Sequence, residues 1–214
     1  MFVGHYSASF LGKAAAPRVP LWVFILAAQL VDVAWAVFIL TGIERFHLDP
    51  TLPSNPLVLD HMPYTHSLVA TLAWAALAAV AVAAAGYGSA RAAITVAAVV
   101  TSHWLLDVLV HRPDMTIVGS DPKLGLGLWN QPTLAFAVEI LFLAGAAAIY
   151  TTTTRADEKT RTAVLRGVLI LIALQTATMY GPIPPSPTAL VLSVLTTFLV
   201  VTWLAARAER ALPH

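Results

Sequence analysis

The amino-acid sequence predicts an all-α polytopic membrane protein, a bundle of about six transmembrane helices. Composition is the first reason: 58% of the 214 residues are hydrophobic and 11% are charged, where an ordinary soluble domain carries about a quarter charged residues. The mean hydropathy of +0.78 agrees. Segmentation is the second. The apolar residues fall into six runs, 20–41, 64–85, 91–110, 130–150, 163–180 and 188–206, each near the length of about 20 residues that crosses a bilayer core. The third is that lipid offers the backbone no hydrogen-bond partners, and these runs are too long and continuous for strands of a closed barrel. We read 1–214 as a single integral membrane domain, with 1–129 carrying the chemical motifs and 130–206 the remaining spans.

Residues 1–11 have no basic residue before their apolar part and no small-residue cleavage signal, so they do not read as a removable signal peptide. The first span then serves for targeting, and it carries Asp32 near its middle. A Pro-rich loop, 44–63, leads to the second span, where Pro63 suits a first helical turn. The third span ends in a histidine-rich stretch, and a Gly-rich loop, 111–129, follows it. The fourth carries Glu139. Residues 151–161 form a polar connector and 181–187 a tight Pro-rich turn between the last two spans. There is no internal repeat.

Loop cations give the orientation. With the N-terminus cytoplasmic, Lys13, Arg18, Arg91, Arg155, Lys159, Arg161, Arg166, Arg207 and Arg210 lie inside, and Arg45, Arg112 and Lys123 lie outside. Both termini are therefore expected on the cytoplasmic side. A net charge of +1 gives no footprint for nucleic acid, and the absence of cysteine leaves His, Asp and Glu as candidate metal ligands.

In 102–111 a His-x3-Asp-x3-His array, His103, Asp107 and His111, is embedded in apolar sequence. Residues four apart share one helix face, so the three form a polar stripe. Ionisable groups at membrane depth are costly, face a bundle interior or cavity, and are usually functional. Asp32, His66, His103, Asp107, His111 and Glu139 converge in depth towards the outer half of the bundle, although His111 and Glu139 rest on position alone.

A second motif, 60–67, places His61 and His66 at the entry to the second span. His-x3-Thr-His-Ser followed by Ser-His-x2-Leu-Asp, with an acid in the preceding span and a histidine near the N-terminus, resembles the YdjM-type family of membrane-bound, metal-dependent hydrolases. The resemblance covers about 4–114. It implies His5, Asp32, His61, His66, His103 and Asp107 as metal ligands, and a protein of the inner (cytoplasmic) membrane of a bacterium. The chain departs from the family pattern in keeping only Asp32 of a Pro-Asp-x-Asp run, and in having Met62-Pro63 after the first motif histidine. The topology puts His5 on the cytoplasmic side, so either 1–11 dips into the membrane or His5 is not a ligand.

The order of these residues is also distantly similar to the zinc-dependent phospholipase C and nuclease P1 group. That similarity implies a divalent metal, zinc first and manganese or iron as substitutes, with Asp32 as a bridging ligand and His66, His103, Asp107 and His111 completing the sphere. Glu139 is then a ligand or general base, Arg112 a phosphate partner, and Asp114 an outer support. The expected substrate is a membrane lipid or amphiphile carrying a phosphoester. Divalent cation or proton transport through the same cluster, and a non-catalytic scaffold, are the alternatives.

Overall fold

The computed structural model describes residues 1–119 and 121–211. Among the described residues eight α-helices carry the fold: α1 (His5–Ala15), α2 (Leu21–Ala28), α3 (Leu30–Leu40), α4 (Leu68–Val82), α5 (Ala90–Val110), α6 (Pro132–Thr153), α7 (Glu158–Tyr180) and α8 (Pro187–Arg210). Two small antiparallel hairpins sit in the loops, β1 (Arg45–Leu48) with β2 (Leu57–His61) and β3 (Met115–Thr116) with β4 (Lys123–Leu124). Five helices are long and apolar enough to cross a membrane, and α2 with α3 makes a sixth span if the bent pair is counted as one.

Several of these helices start on a polar cap at the edge of an apolar run. Ser67, Ser89, Asp157 and Ser186 accept the backbone N–H of Ala70, Ala92, Thr160 and Ala189, so a side chain satisfies a donor that the helix leaves free. The bond to Thr160 holds the Asp157 carboxyl below its ordinary pKa. A carboxylate shifted down stabilises the fold above its unfolded pKa, and that contribution is lost as pH falls through the folded value. Amide exchange at Thr160 is expected to lose protection selectively at acid pH, with no such loss at Ala189, whose cap is a serine.

The expected first span is broken. α2 and α3 meet at Gln29 with a bend of 50°, although 21–40 contains neither proline nor glycine. Side chains from other helices take the carbonyls there. His103 Nδ1 donates to the Ala28 carbonyl at 2.8 Å, and the Ser9 hydroxyl donates to the Phe24 carbonyl at 3.0 Å. Insertion of this kind into the hydrogen-bond ladder is a known cause of a kink. Its consequence is local: Asp32 falls in the first turn of α3, where the helix dipole favours a negative charge.

α1 is an additional short helix, packed against α2, α5 and α6. It runs from the middle of the bundle to one end, where Lys13 meets Glu209 of α8 at 2.8 Å. Around it lie two apolar clusters, one holding Phe24, Val31, Val96 and Val99 and the other Tyr6, Phe10, Leu143, Leu171 and Val201. A third, with Trp35, Leu59, Trp104, Met115 and Val191, packs beneath the hairpins.

The 111–129 loop closes over the end of α5. Leu126 and Gly127 N–H groups bond to the carbonyls of Val108 and His111, so the free C-terminal carbonyls of the helix are satisfied by the loop. Gly125 is required for this approach, since a Cβ there collides with the Arg112 and His111 carbonyls. Gly125→Ala is expected to cost about 1–3 kcal/mol, read as a lowered midpoint of thermal unfolding in detergent.

Candidate metal centre

The four-residue spacing on α5 places His103, Asp107 and His111 on one face, and Asp107 lies three residues before the helix end, fully buried. Its two oxygens face different partners. Oδ1 is 3.1 Å from His5 Nε2 and 3.6 Å from His111 Nε2, and it contacts the N-terminal ammonium of Met1. Oδ2 is 3.1 Å from His103 Nε2 and 3.9 Å from His66 Nε2. Asp32 Oδ1 stands 3.4 Å from both His66 Nε2 and His103 Nε2. The carboxylate that spans two histidine pairs is thus Asp107 rather than Asp32.

Two overlapping groups can hold a metal ion: His5, His103 and Asp107, and Asp32, His66 and His103, with ligand atoms inside each group within 4.8 Å of one another. α1 brings His5 here by starting inside the bundle, beside His103 and Asp107. Its ring stacks on that of His103 with centroids 3.9 Å apart.

Hydrogen bonding at the far ring nitrogens orients the rings. A carbonyl only accepts, so His103 Nδ1 carries the proton given to Ala28. His111 Nδ1 faces the Asp114 carboxylate at 3.0 Å and donates likewise. For His66 the argument takes one more step. The Thr65 hydroxyl donates to Glu44 Oε2 at 2.6 Å, so its oxygen accepts from His66 Nδ1 at 2.8 Å. Three imidazoles thus have Nδ1 engaged and Nε2 turned towards the carboxylates, so Nε2 is the atom left for a metal, and their outer nitrogens are held as metal-binding histidines usually are. His103 Nε2 and His5 Nδ1 are buried without a hydrogen-bond partner among the described residues. This donor set of imidazoles and carboxylates fits zinc, and manganese or iron after it.

The remaining sequence candidates lie elsewhere. His61 ends β2, opposite Arg45 across a register shift, while the adjacent Met62 takes the buried position; it belongs to neither ligand group. Glu139 Oε2 accepts the backbone N–H groups of Phe2 and Gly4 at 2.8 and 3.1 Å, so it holds the segment that delivers His5. Arg112 donates to Asn130 Oδ1 and to the Asn55 carbonyl, stapling two loops, and partial burial draws its pKa down from the ordinary arginine value. Asp114 supports His111.

Two residues that support the cluster escaped the sequence reading. Glu44 is fully buried in the loop after α3, and besides Thr65 Oγ1 it accepts the N–H groups of Tyr64 and Thr65. Thr65 stands inside the His-x3-Thr-His-Ser motif, and that adjacency was the available signal. A cavity of about 310 Å³ opens on the cluster and is walled by α3, the loops, α7 and α8. No family model, no curated protein and no solved structure matches the chain.

Proposed function

We propose that the protein is a membrane-embedded, metal-dependent hydrolase that cleaves a phosphoester of a lipid or lipid-linked molecule. The observation that supports this most is the convergence of imidazole Nε2 atoms on Asp107 and Asp32, each outer nitrogen of His66, His103 and His111 already engaged. A divalent metal bound there supplies an acidified water and a positive charge for a phosphoryl oxygen. The chain's own residues supply the rest. Asp107 and Asp32 offset the ligand-site charge, the Thr65–Glu44 pair and Asp114 hold imidazoles with Nε2 towards the cluster, and the apolar walls exclude bulk water from the cluster. The cluster lies on the side of the bundle away from the Lys13–Glu209 pair, and the cation count supports an orientation with that side outermost.

The broken α2–α3 span favours cation transport as a second reading, because discontinuous helices often line transport sites. Beneath the cluster, however, the route towards the opposite end is filled by Phe10, Phe24, Val96 and Val99.

The test uses protein purified in detergent and reconstituted with zinc or manganese into vesicles of phosphodiester and phosphomonoester lipids. Head-group or phosphate release that is abolished by chelation and restored by metal is expected. Metal-loaded protein that releases neither overturns the reading.

A further inference from the structure

The cavity at the cluster does not end in a loop-lined cleft open to water alone; it extends between α7 and α8. At one end it is lined by Asp32, His66, Asp107 and His111. Its far wall is uncharged, formed by Leu174, Ala177 and Thr178 of α7 and by Val194, Thr197 and Phe198 of α8. Among the described residues no lysine or arginine side chain lines it, so a free, water-borne phosphate meets no side-chain cation on the way in. The two helices are neighbours in sequence but pack on different partners, α7 on α6 and α8 on α2 and α3. Ala177 and Thr178 are exposed and Thr197 is half-buried, which leaves the seam between the helices open sideways. Thr197 lies ten residues into α8, about 15 Å along a helix and thus about half of a hydrocarbon core. The seam therefore has the depth of one leaflet's chains.

A second observation is independent of that shape. Trp35 lines the same cavity, is 3% exposed, and its indole N–H has no hydrogen-bond partner among the described residues. Its ring lies 6.3 Å from that of His66. A buried indole N–H normally finds a partner, and this donor stands beside the candidate metal centre.

We infer that the substrate is an amphiphile entering sideways from the bilayer, its hydrocarbon chain lying between α7 and α8 and an oxygen of its head accepting from Trp35. The chemistry at the head rests on the hydrolase reading; the chamber does not.

The experiment uses full-length protein in phosphatidylcholine nanodiscs containing a phosphatidylglycerol with a diazirine-bearing tail. After photolysis the labelled residues are mapped by mass spectrometry, and bound metal is measured on the same samples. Phe198 is buried and Leu174 partly buried on the cavity wall, whereas Leu169 and Leu199 of the same helices are exposed. Labelling of Phe198 and Leu174 above Leu169 and Leu199 is expected, falling about tenfold in Thr197→Trp and in Ala177→Trp while metal content stays unchanged. Trp35→Phe is expected to raise the probe concentration for half-maximal labelling of Phe198 about fivefold; an unchanged value removes Trp35 from the head contact. Phe198 and Leu174 labelled no more than Leu169 and Leu199, or labelling indifferent to both tryptophan variants, overturns the chamber. Metal-loaded, active protein without internal label leaves a hydrolase for a water-borne substrate, and metal-free protein with internal label leaves a lipid chamber without the hydrolase.

Discussion

On the proposed hydrolase reading, Asp107→Asn is expected to abolish metal binding and to lower hydrolysis by more than about 100-fold, the upper end of the loss from an outer support alone. The size follows from its position. Its two oxygens face His5 and His111 on one side and His66 and His103 on the other, so neutralising one carboxylate withdraws the anion common to four imidazoles. Asparagine keeps the shape and an acceptor but places an N–H₂ group against ring nitrogens that must present lone pairs. Breaking a buried charged cluster by removing one partner also costs about 3–5 kcal/mol. Metal analysis together with thermal unfolding of the variant checks both effects. Retention of full metal content with a wild-type midpoint contradicts the role given to Asp107.

Glu44→Ala is expected to have the second largest effect, although Glu44 touches no candidate ligand atom. Its carboxylate accepts from Tyr64 N, Thr65 N and Thr65 Oγ1, and each buried donor left unpaired costs about 1–3 kcal/mol. Without Glu44 the Thr65 hydroxyl is also free to turn its proton towards His66 Nδ1, which moves the ring proton to Nε2 and removes that lone pair from the cluster. Metal affinity is expected to fall about 10–100-fold. Nitrogen-15 spectra of the histidine rings read the tautomer directly, and competition with a chelator reads the affinity. An unchanged His66 tautomer in the variant contradicts the relay.

These two residues mark where the sequence was informative and where it was not. Asp107 was legible because a spacing of four on an apolar helix has one geometric meaning. The long helices were legible as well: their apolar runs begin within a few residues of Ser67, Ser89 and Ser186, whose cap bonds act within one turn. Glu44 was not, since nothing local distinguishes a buried loop acid from a solvated one. The break at Gln29 was equally hidden, because it depends on His103 and Ser9 arriving from other helices. α1 is too short to register as a span, and its small and polar residues Ser9 and Gly12 serve packing against α2 and α5. Gly12 shows this, since a Cβ there meets Phe24 at 2.7 Å and Val99 at 2.9 Å. α7 and α8 carry no ionisable residue in the cavity wall, so a search for chemistry in the sequence passed over the helices that shape the chamber.

X-ray absorption at the edge of the bound metal tests the central claim most directly. The account predicts a retained ion with a shell of nitrogen and oxygen only, at about 2.0–2.2 Å for zinc and with imidazole scattering from at least two rings, as a cysteine-free cluster of His5, His66, His103, Asp32 and Asp107 dictates. Protein that retains no zinc, manganese or iron after saturating reconstitution, or a bound ion whose spectrum lacks imidazole scattering, contradicts it.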